Sequence, residues 1–465
     1  MPYSAQAGFD TSGYSKERKS DPYVYQVGFG NAFASQAIPG ALPEGQNSPQ
    51  NCKYDLYAEQ LNGTPFTVPR AFNQRTWLYR ILPSVAHGGM VDTKQNPLLV
   101  SDFSPLNPAV HVNPHQVSWK SFKPSETEKH DFIYGLRTLG GNGSAISRDG
   151  MAFHVYAINQ SMEKTAFMNV DGDFLFVPEE GRLDIQTEMG SMMIGPGEIA
   201  VVQAGIKFKV AVPDGTAQGS IYEVYGTHYT LPELGPLGAN GMANVRDFEH
   251  PVASFDTEPS EWKVVYKIGG KLFETIREYS PFDVVAWHGN YVPYKYDLYK
   301  FIIVQSSNID HIDPSVFSVL VAKSKFPNIN LMEFCAVHPF WVTTKNTFRP
   351  QYFHRNSASE FLAFIKGGSG GYLGYAGLVP HGTTVDVWEA ATTEDQVPVI
   401  TNQGALFTLT EPYQMILLTD YGVSCSEYAV PSVSAWNYRP NFLKRIPEIN
   451  ADLKAARLPP IRQQA

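Results

Sequence analysis

The sequence predicts an all-β protein with minor helices, and three observations carry that expectation. Apolar runs of strand length recur along most of the chain. Gly 38 and Pro 34 punctuate them as turns. Tyr 25 and Phe 28 supply the aromatic content that pleated, half-buried surfaces favour. The architecture expected is a sandwich or a barrel.

Along the chain, the first 150 residues are rich in turns and proline, with few clear strands, and are expected to wrap the rest. The strand-like runs then follow: "MAFHVYAI", "DFLFVP", "EIAVVQAG", "IKFKVAVP", "FDVVAWH", "YKFIIVQ", "FSVLVAK", "EFLAFIKG" and "QMILLTD". The best helical pattern is "NFLKRIPEINADLKAARL", near the C-terminus. A weak internal repeat lays "AFMNVDGDFLFVPEEG" (166–181) over "FHRNSASEFLAFIKG" (353–367). In this register Phe167 stands for His354 and Asp173 for Glu360, so a β unit would occur twice with its polar residues kept in the second copy.

Length and composition bound the function. A chain of 465 residues accommodates two or three domains, or one large two-part β protein. With 43% hydrophobic and 17% charged residues it is globular rather than disordered. No apolar run approaches bilayer-spanning length. The start, "MPYSAQAGFDTSGYSKERKSD", has no apolar core and mixes acids with bases, so neither a secretory signal nor a transit peptide is expected. "IRQQA" matches no peroxisomal or retention address. Net charge is −9 and no basic stripe interleaves with aromatics, which argues against nucleic acid as a partner. Three scattered cysteines, Cys52, Cys335 and Cys425, point to a reducing compartment, and no CxxC pair suggests a thiolate metal site. A cytoplasmic protein is expected.

The chemistry concentrates in "FRPQYFHRNSASEFLAFIKG". His354 is followed six residues later by Glu360, which opens an apolar strand. Extended, six residues span roughly 20 Å, too far to share one ion. The intervening "RNSAS" is turn chemistry. If the chain reverses there, the two side chains converge. "LVPHGTT" offers His381 in a second turn. Two histidines and one carboxylate with open positions form the facial arrangement that suits non-haem Fe(II) and O₂ chemistry. A lone histidine before Arg-Asn is more often a hydrogen-bonded turn residue, and Glu360 could pair with Arg355 or Arg349. Burying an unpartnered carboxylate at a strand mouth is costly, and that favours the ligand reading. In "VVAWHGNYVPYKYDL", His288 lies where a strand gives way to a loop. It is either an edge histidine bonding backbone or a pocket acid/base.

The spacing resembles the first cupin motif, which reads HxH, a spacer, Glu and a later Gly. Here it is His354-Arg355-Asn356, three residues, Glu360, six residues and Gly367, with Asn356 in place of the second histidine. The blocks "GFGNAFASQAIPGALPEGQNSPQ", "YAEQLNG", "WLYRILPS", "DGDFLFVP", "LGPLGANGMANVRDF", "AWHGNYVPYKY", "TFRPQYFHRNSASEF" and "PHG" together resemble the homogentisate 1,2-dioxygenase family. The resemblance implies two cupin-like β-barrel or sandwich units with iron in the C-terminal one alone. The divisions expected are 1–280, an N-terminal β domain with a metal-free unit and its wrapping segment; 281–440, the iron-binding domain; and 441–465, a partly helical tail. The implied reaction is Fe(II)- and O₂-dependent cleavage of homogentisate to 4-maleylacetoacetate, in tyrosine and phenylalanine catabolism, by a homo-hexamer built from trimers. His354, Glu360 and His381 match the family's iron ligands, and His288 its acid/base. His381, Tyr352, Asn356 and Tyr372 are assigned to the substrate pocket, with Arg349 a neighbour of the iron site.

One departure stands out. Only 20 residues, "FLAFIKGGSGGYLGYAGLVP", separate Glu360 from His381, where the family's loop is longer and carries a substrate-contacting Tyr and a further His. Tyr372 or Tyr375 is the expected stand-in. The shortened loop leaves room for a paralogue that opens gentisate or an alkylated hydroquinone. A non-catalytic cupin-like binding protein is the alternative from another class, and ligand type alone also admits Mn or Zn.

Overall fold

The computed structural model describes residues 21–44, 51–233, 242–257, 259–303, 317–342, 353–367, 370–393, 397–431 and 438–462. It is built mostly of strands, with few and short helices, and has the all-β architecture expected. In the N-terminal unit a ten-stranded sheet is centred on Gly172–Glu180, Ala217–Tyr225 and Asp149–Ile158, which pair antiparallel in that order. A seven-stranded sheet covers it, including Leu183–Thr187, Lys207–Ala211, Thr165–Asn169 and Trp262–Ile268. In the C-terminal unit an eight-stranded sheet runs Tyr229–Thr230, Ser318–Lys323, Asn330–Val337, Leu406–Pro412, Glu360–Lys366, Gly371–Tyr375, Val117–Trp119, Tyr428–Ala429.

The apolar runs of the central strands follow from burial on both faces. Along Asp149–Ile158, Met151, Phe153, Val155 and Ala157 enter the core between the units, while Tyr156 and Ile158 enter the core of the N-terminal unit. Gly172–Glu180 divides in the same way, Leu175 and Val177 on one side, Phe174 and Phe176 on the other. Side chains alternate across a strand, so a strand between two cores reads as continuously hydrophobic. Phe361 of the C-terminal sheet stacks on Phe153, centroids 4.4 Å apart, and so ties the units together.

The two copies of the repeat take corresponding forms, a strand, a turn and a longer strand. In the first copy Phe167 is fully buried against Phe132 and Phe208. Asp173 is buried too, its Oδ2 paired with His228 Nδ1 at 2.9 Å and its Oδ1 accepting from the Ala204 N–H. An apolar ring and an already satisfied carboxylate leave nothing there to ligate an ion.

Four sequence expectations are refined. The early segment does wrap the units, but it also contributes strands: Val117–Trp119 joins the C-terminal sheet, and Phe33–Gln36, Tyr57–Asn62 and Arg75–Arg80 form a four-stranded sheet with Val284–Gly289. A boundary at 280 is too early, because Val284–Gly289 and Tyr294–Asp297 pair with upstream strands. "YKFIIVQ" is not a strand over its described part. Asp297 accepts from the Tyr299 N–H and caps the short 3₁₀ turn Leu298–Lys300, which diverts the chain. The C-terminal helical pattern resolves into a 3₁₀ turn, Asn441–Arg445, and the helix Ile446–Ala455 with Pro in its first turn.

Candidate metal centre

The reversal between His354 and Glu360 is made by Asn356. Its Oδ1 accepts from the Ala358 N–H at 3.1 Å, closing an Asx turn, and its carbonyl accepts from the Leu378 N–H at 2.6 Å. The Ser359 N–H then donates to the Pro412 carbonyl, setting Glu360 at the mouth of Glu360–Lys366. Upstream, Phe353–His354 pairs antiparallel with His381–Gly382, so that His354 lies directly opposite His381. A turn and a two-residue ladder thus bring together three side chains spread over 28 residues of sequence.

Their ligand atoms form a small triangle. His354 Nε2 is 2.6 Å from His381 Nε2, and Glu360 Oε1 is 3.2 Å and 3.1 Å from the two. Three donors at about 2.1 Å from one octahedral ion lie roughly 3 Å apart, the size of this triangle. Among the described residues these three are the one group of histidine, cysteine and acidic side chains close enough to hold a metal ion. The His381 Nδ1–H donates to the Val379 carbonyl at 2.9 Å, which turns the Nε2 lone pair toward the cluster. Burial, the largest single influence, opposes ionisation of Glu360, but the hydrogen bonds and charges of His381, Asn356 and His354 together outweigh it and lower its pKa. For His381, burial acts downward most strongly of any one cause, but the hydrogen bonds to Glu360 and Val379 and the nearby carboxylate charges together prevail, so its pKa is raised. Glu360 therefore offers a carboxylate. An ion would take over the role that the imidazolium plays in the pair.

The surroundings stiffen the triangle. Tyr375 lies opposite Glu360 across the sheet and stacks on His381, centroids 4.2 Å apart and planes at 20°. Its hydroxyl accepts from Gln116 Nε2 at 3.2 Å, a residue delivered by the early segment. Asn356 Nδ2 donates to Glu360 Oε1 at 3.2 Å and to Glu411 Oε2 at 3.1 Å. A narrow recess beside Glu360 is lined by Asn113, His115, Val117, Tyr375 and Ile416 among others. Gln116 and Glu411 carry no local sequence signal. Only the pairing of distant strands reveals them.

The remaining sequence assignments divide. Tyr372 is not at the site: three residues from Tyr375 on one strand, it points to the opposite face, is 2% exposed, and its hydroxyl donates to Glu179 of the N-terminal unit. Of the two expected stand-ins, Tyr375 is the one beside the cluster. Tyr352 and Arg349 lie outside the described residues. His288 sits on Val284–Gly289, Nε2 at 3.1 Å from the Tyr79 hydroxyl, in a cavity of about 1230 Å³ lined by Phe33, Arg70, Arg75, Trp77 and Tyr79. Burial and then the Arg75 charge lower its pKa, so the imidazole is neutral at pH 7 and able to accept a proton. No residue lining this cavity lines the recess at Glu360.

Fold and site together define a class: an all-β protein whose C-terminal unit carries a two-histidine, one-carboxylate cluster able to hold a metal ion. Two family models match, described as homogentisate 1,2-dioxygenase N-terminal over residues 24–298 and C-terminal over residues 299–439. Curated relatives named homogentisate 1,2-dioxygenase include one from Dictyostelium discoideum, 48% identical over 86% of this chain and 93% of its own length. Another, from Homo sapiens, is 44% identical over 86% of this chain and 92% of its own. The chain belongs to the homogentisate 1,2-dioxygenase family of enzymes. Among solved structures, the S161A mutant of Bacillus subtilis oxalate decarboxylase OxdC aligns over 92% of this chain and 98% of its own at 10% identity, with a TM-score of 0.26.

Proposed function

We propose that the chain is an Fe(II)- and O₂-dependent dioxygenase that opens the ring of homogentisate to 4-maleylacetoacetate in tyrosine and phenylalanine breakdown, acting in the cytoplasm as a homo-oligomer. The observation that carries this is the triangle of His354 Nε2, Glu360 Oε1 and His381 Nε2, with edges of 2.6, 3.1 and 3.2 Å, in a chain of this family. Fe(II) held there would orient ring and oxygen and ease electron flow between them. Three protein donors leave open positions for both. His354 and His381 hold the ion by neutral imidazoles, and Glu360 supplies one negative charge. Tyr375 and Asn356 keep His381 and Glu360 from turning. His288 is the group for a hydroxyl proton: neutral at pH 7, with Nε2 already in a hydrogen bond to the Tyr79 hydroxyl.

The test is anaerobic Fe(II) loading followed by oxygen uptake on homogentisate and gentisate side by side. Rapid uptake on homogentisate, with absorbance of the ring-opened product, is expected. Iron-loaded protein silent on a panel of hydroquinones would overturn the dioxygenase reading and restore the binding-protein alternative. A second substrate reading is favoured by one specific observation. The loop after Glu360 is short and Tyr372 is turned to Glu179, so of the two expected stand-ins Tyr375 alone lies beside the cluster. Uptake on gentisate or an alkylated hydroquinone, with homogentisate inert, would select that reading. Comparison of Fe(II), Mn(II) and Zn(II) loading decides the metal.

A further inference from the structure

The carboxylate of Glu360 does not stand alone on its face of the sheet. Glu360–Lys366 and Leu406–Pro412 are antiparallel neighbours with Phe361 opposite Thr410, a register that carries Glu360 opposite Glu411. Side chains so placed are roughly 5 Å apart at Cβ, and like charges there repel. The Asn356 amide lies between them. Its Oδ1 is committed to the Ala358 N–H, which fixes the end of the amide that meets the acids. Its two N–H groups then have one acceptor each, Glu360 Oε1 at 3.2 Å and Glu411 Oε2 at 3.1 Å. Oε1 is also the oxygen that faces both imidazoles. Glu333, next in the row opposite Glu411, accepts from Ser318 and Asn330 and does not compete for the amide.

We propose that Glu411 is a positioning residue for the metal site: by holding one N–H of Asn356 it commits the other to Glu360 Oε1 and fixes the rotation of that carboxylate. The inference rests on reading His354, Glu360 and His381 as ligands. With Glu411 in place, Glu360 presents a single oriented oxygen, and the position that a second oxygen would occupy stays open for substrate. Without it, one amide N–H loses its acceptor, the amide and the carboxylate can both turn, and the ion is held less tightly.

The test measures Fe(II) affinity of metal-free protein under anaerobic conditions, by competition with a chromogenic chelator. The proteins are wild type, Glu411→Ala, Glu411→Gln, Asn356→Ala and the double variant Asn356→Ala/Glu411→Ala. Glu411→Ala should weaken binding about 10- to 100-fold. Glu411→Gln keeps an acceptor oxygen and should stay close to wild type. The double variant should lose no more than the larger single loss, because both changes break one linkage. Wild-type affinity in Glu411→Ala, equal loss in Glu411→Gln and Glu411→Ala, or fully additive losses would each overturn the proposal. Should Glu411→Ala fail to fold by circular dichroism, Glu411→Met, which fills the strand without an acceptor, replaces it against Glu411→Gln. Wild-type protein that binds no divalent ion would instead overturn the ligand reading itself, and this proposal with it.

Discussion

At the scale of single residues, position in the triangle and position in the cavity predict different phenotypes. His354 and His381 each offer one lone pair and share Glu360 Oε1, so losing either imidazole leaves an incomplete donor set. His354→Ala should lower metal content per chain by more than about tenfold, the lower end of what losing even a supporting partner costs, and activity should fall in parallel. His288 touches none of the three, its contact being the Tyr79 hydroxyl. His288→Ala should therefore keep the metal and lose turnover by about 10²–10⁴, the usual worth of a proton-transfer group. Metal analysis and oxygen uptake on the same samples separate the two. Loss of metal from His288→Ala would remove it from proton handling.

At the scale of elements, the site depends on a short strand borrowed from the early segment, held between Gly371–Tyr375 and Tyr428–Ala429. Val117–Trp119 pairs with Gly371–Tyr375, and Trp119 is buried with its Nε1–H donated to the Gly422 carbonyl at 2.7 Å. Gly371 makes this approach possible. It has φ of +83°, and a Cβ there would lie 2.1 Å from the Trp119 carbonyl oxygen. Gly371→Ala should cost about 2–4 kcal/mol in urea unfolding, because both the φ and the clash must be relieved by moving a strand. Tyr375 is the paired strand's last residue, so activity should fall with it. Unchanged stability would mean that this strand yields freely. This element also marks how far the sequence could be read. The strands with long apolar runs were legible because they lie between two cores, and the turn after His354 was legible because "RNSAS" has turn chemistry whatever surrounds it. The expectation that His354 and Glu360 converge followed from that turn. Val117–Trp119 and Gln116 were not legible, since a three-residue strand has no periodicity and its partner lies more than 250 residues away, and Glu411 was not, since only strand register sets it beside Glu360. The face taken by Tyr372 was equally hidden. It follows from strand register, and a one-residue shift would have exchanged its direction with that of Leu373.

At the scale of the whole molecule, two contacts between parts decide behaviour. The first joins the units: the Tyr372 hydroxyl donates to Glu179, and burial pushes that carboxyl up to about 7. In an unfolded chain it would titrate near 4.3. Between these values the folded protein holds a proton that the unfolded chain has released, so stability falls as pH rises through the window and the loss is complete above about 7. Glu179→Gln keeps an acceptor for Tyr372 without the charge. It should gain on wild type in urea midpoint at pH 8 and lose that advantage near pH 4. An equal difference at both values would mean that Glu179 has the same pKa folded and unfolded. A second contact, between copies in the proposed homo-oligomer, would lie beyond one chain. His288 and the metal cluster line separate recesses with no lining residue in common, yet the proposed reaction needs both at one substrate. An open cavity of about 1230 Å³ with Trp77, Tyr79, Arg70 and Arg75 on its walls is unfilled by the chain's own described residues. A neighbouring copy that lays its C-terminal recess against this cavity would assemble one complete site from two chains. Mixing inactive His288→Ala and His354→Ala proteins under conditions that exchange subunits should then restore part of the activity. Some interfaces would pair an intact His288 with an intact metal cluster. A mixture that stays inactive, while native mass spectrometry shows exchanged oligomers, would place His288 and the metal within the same chain.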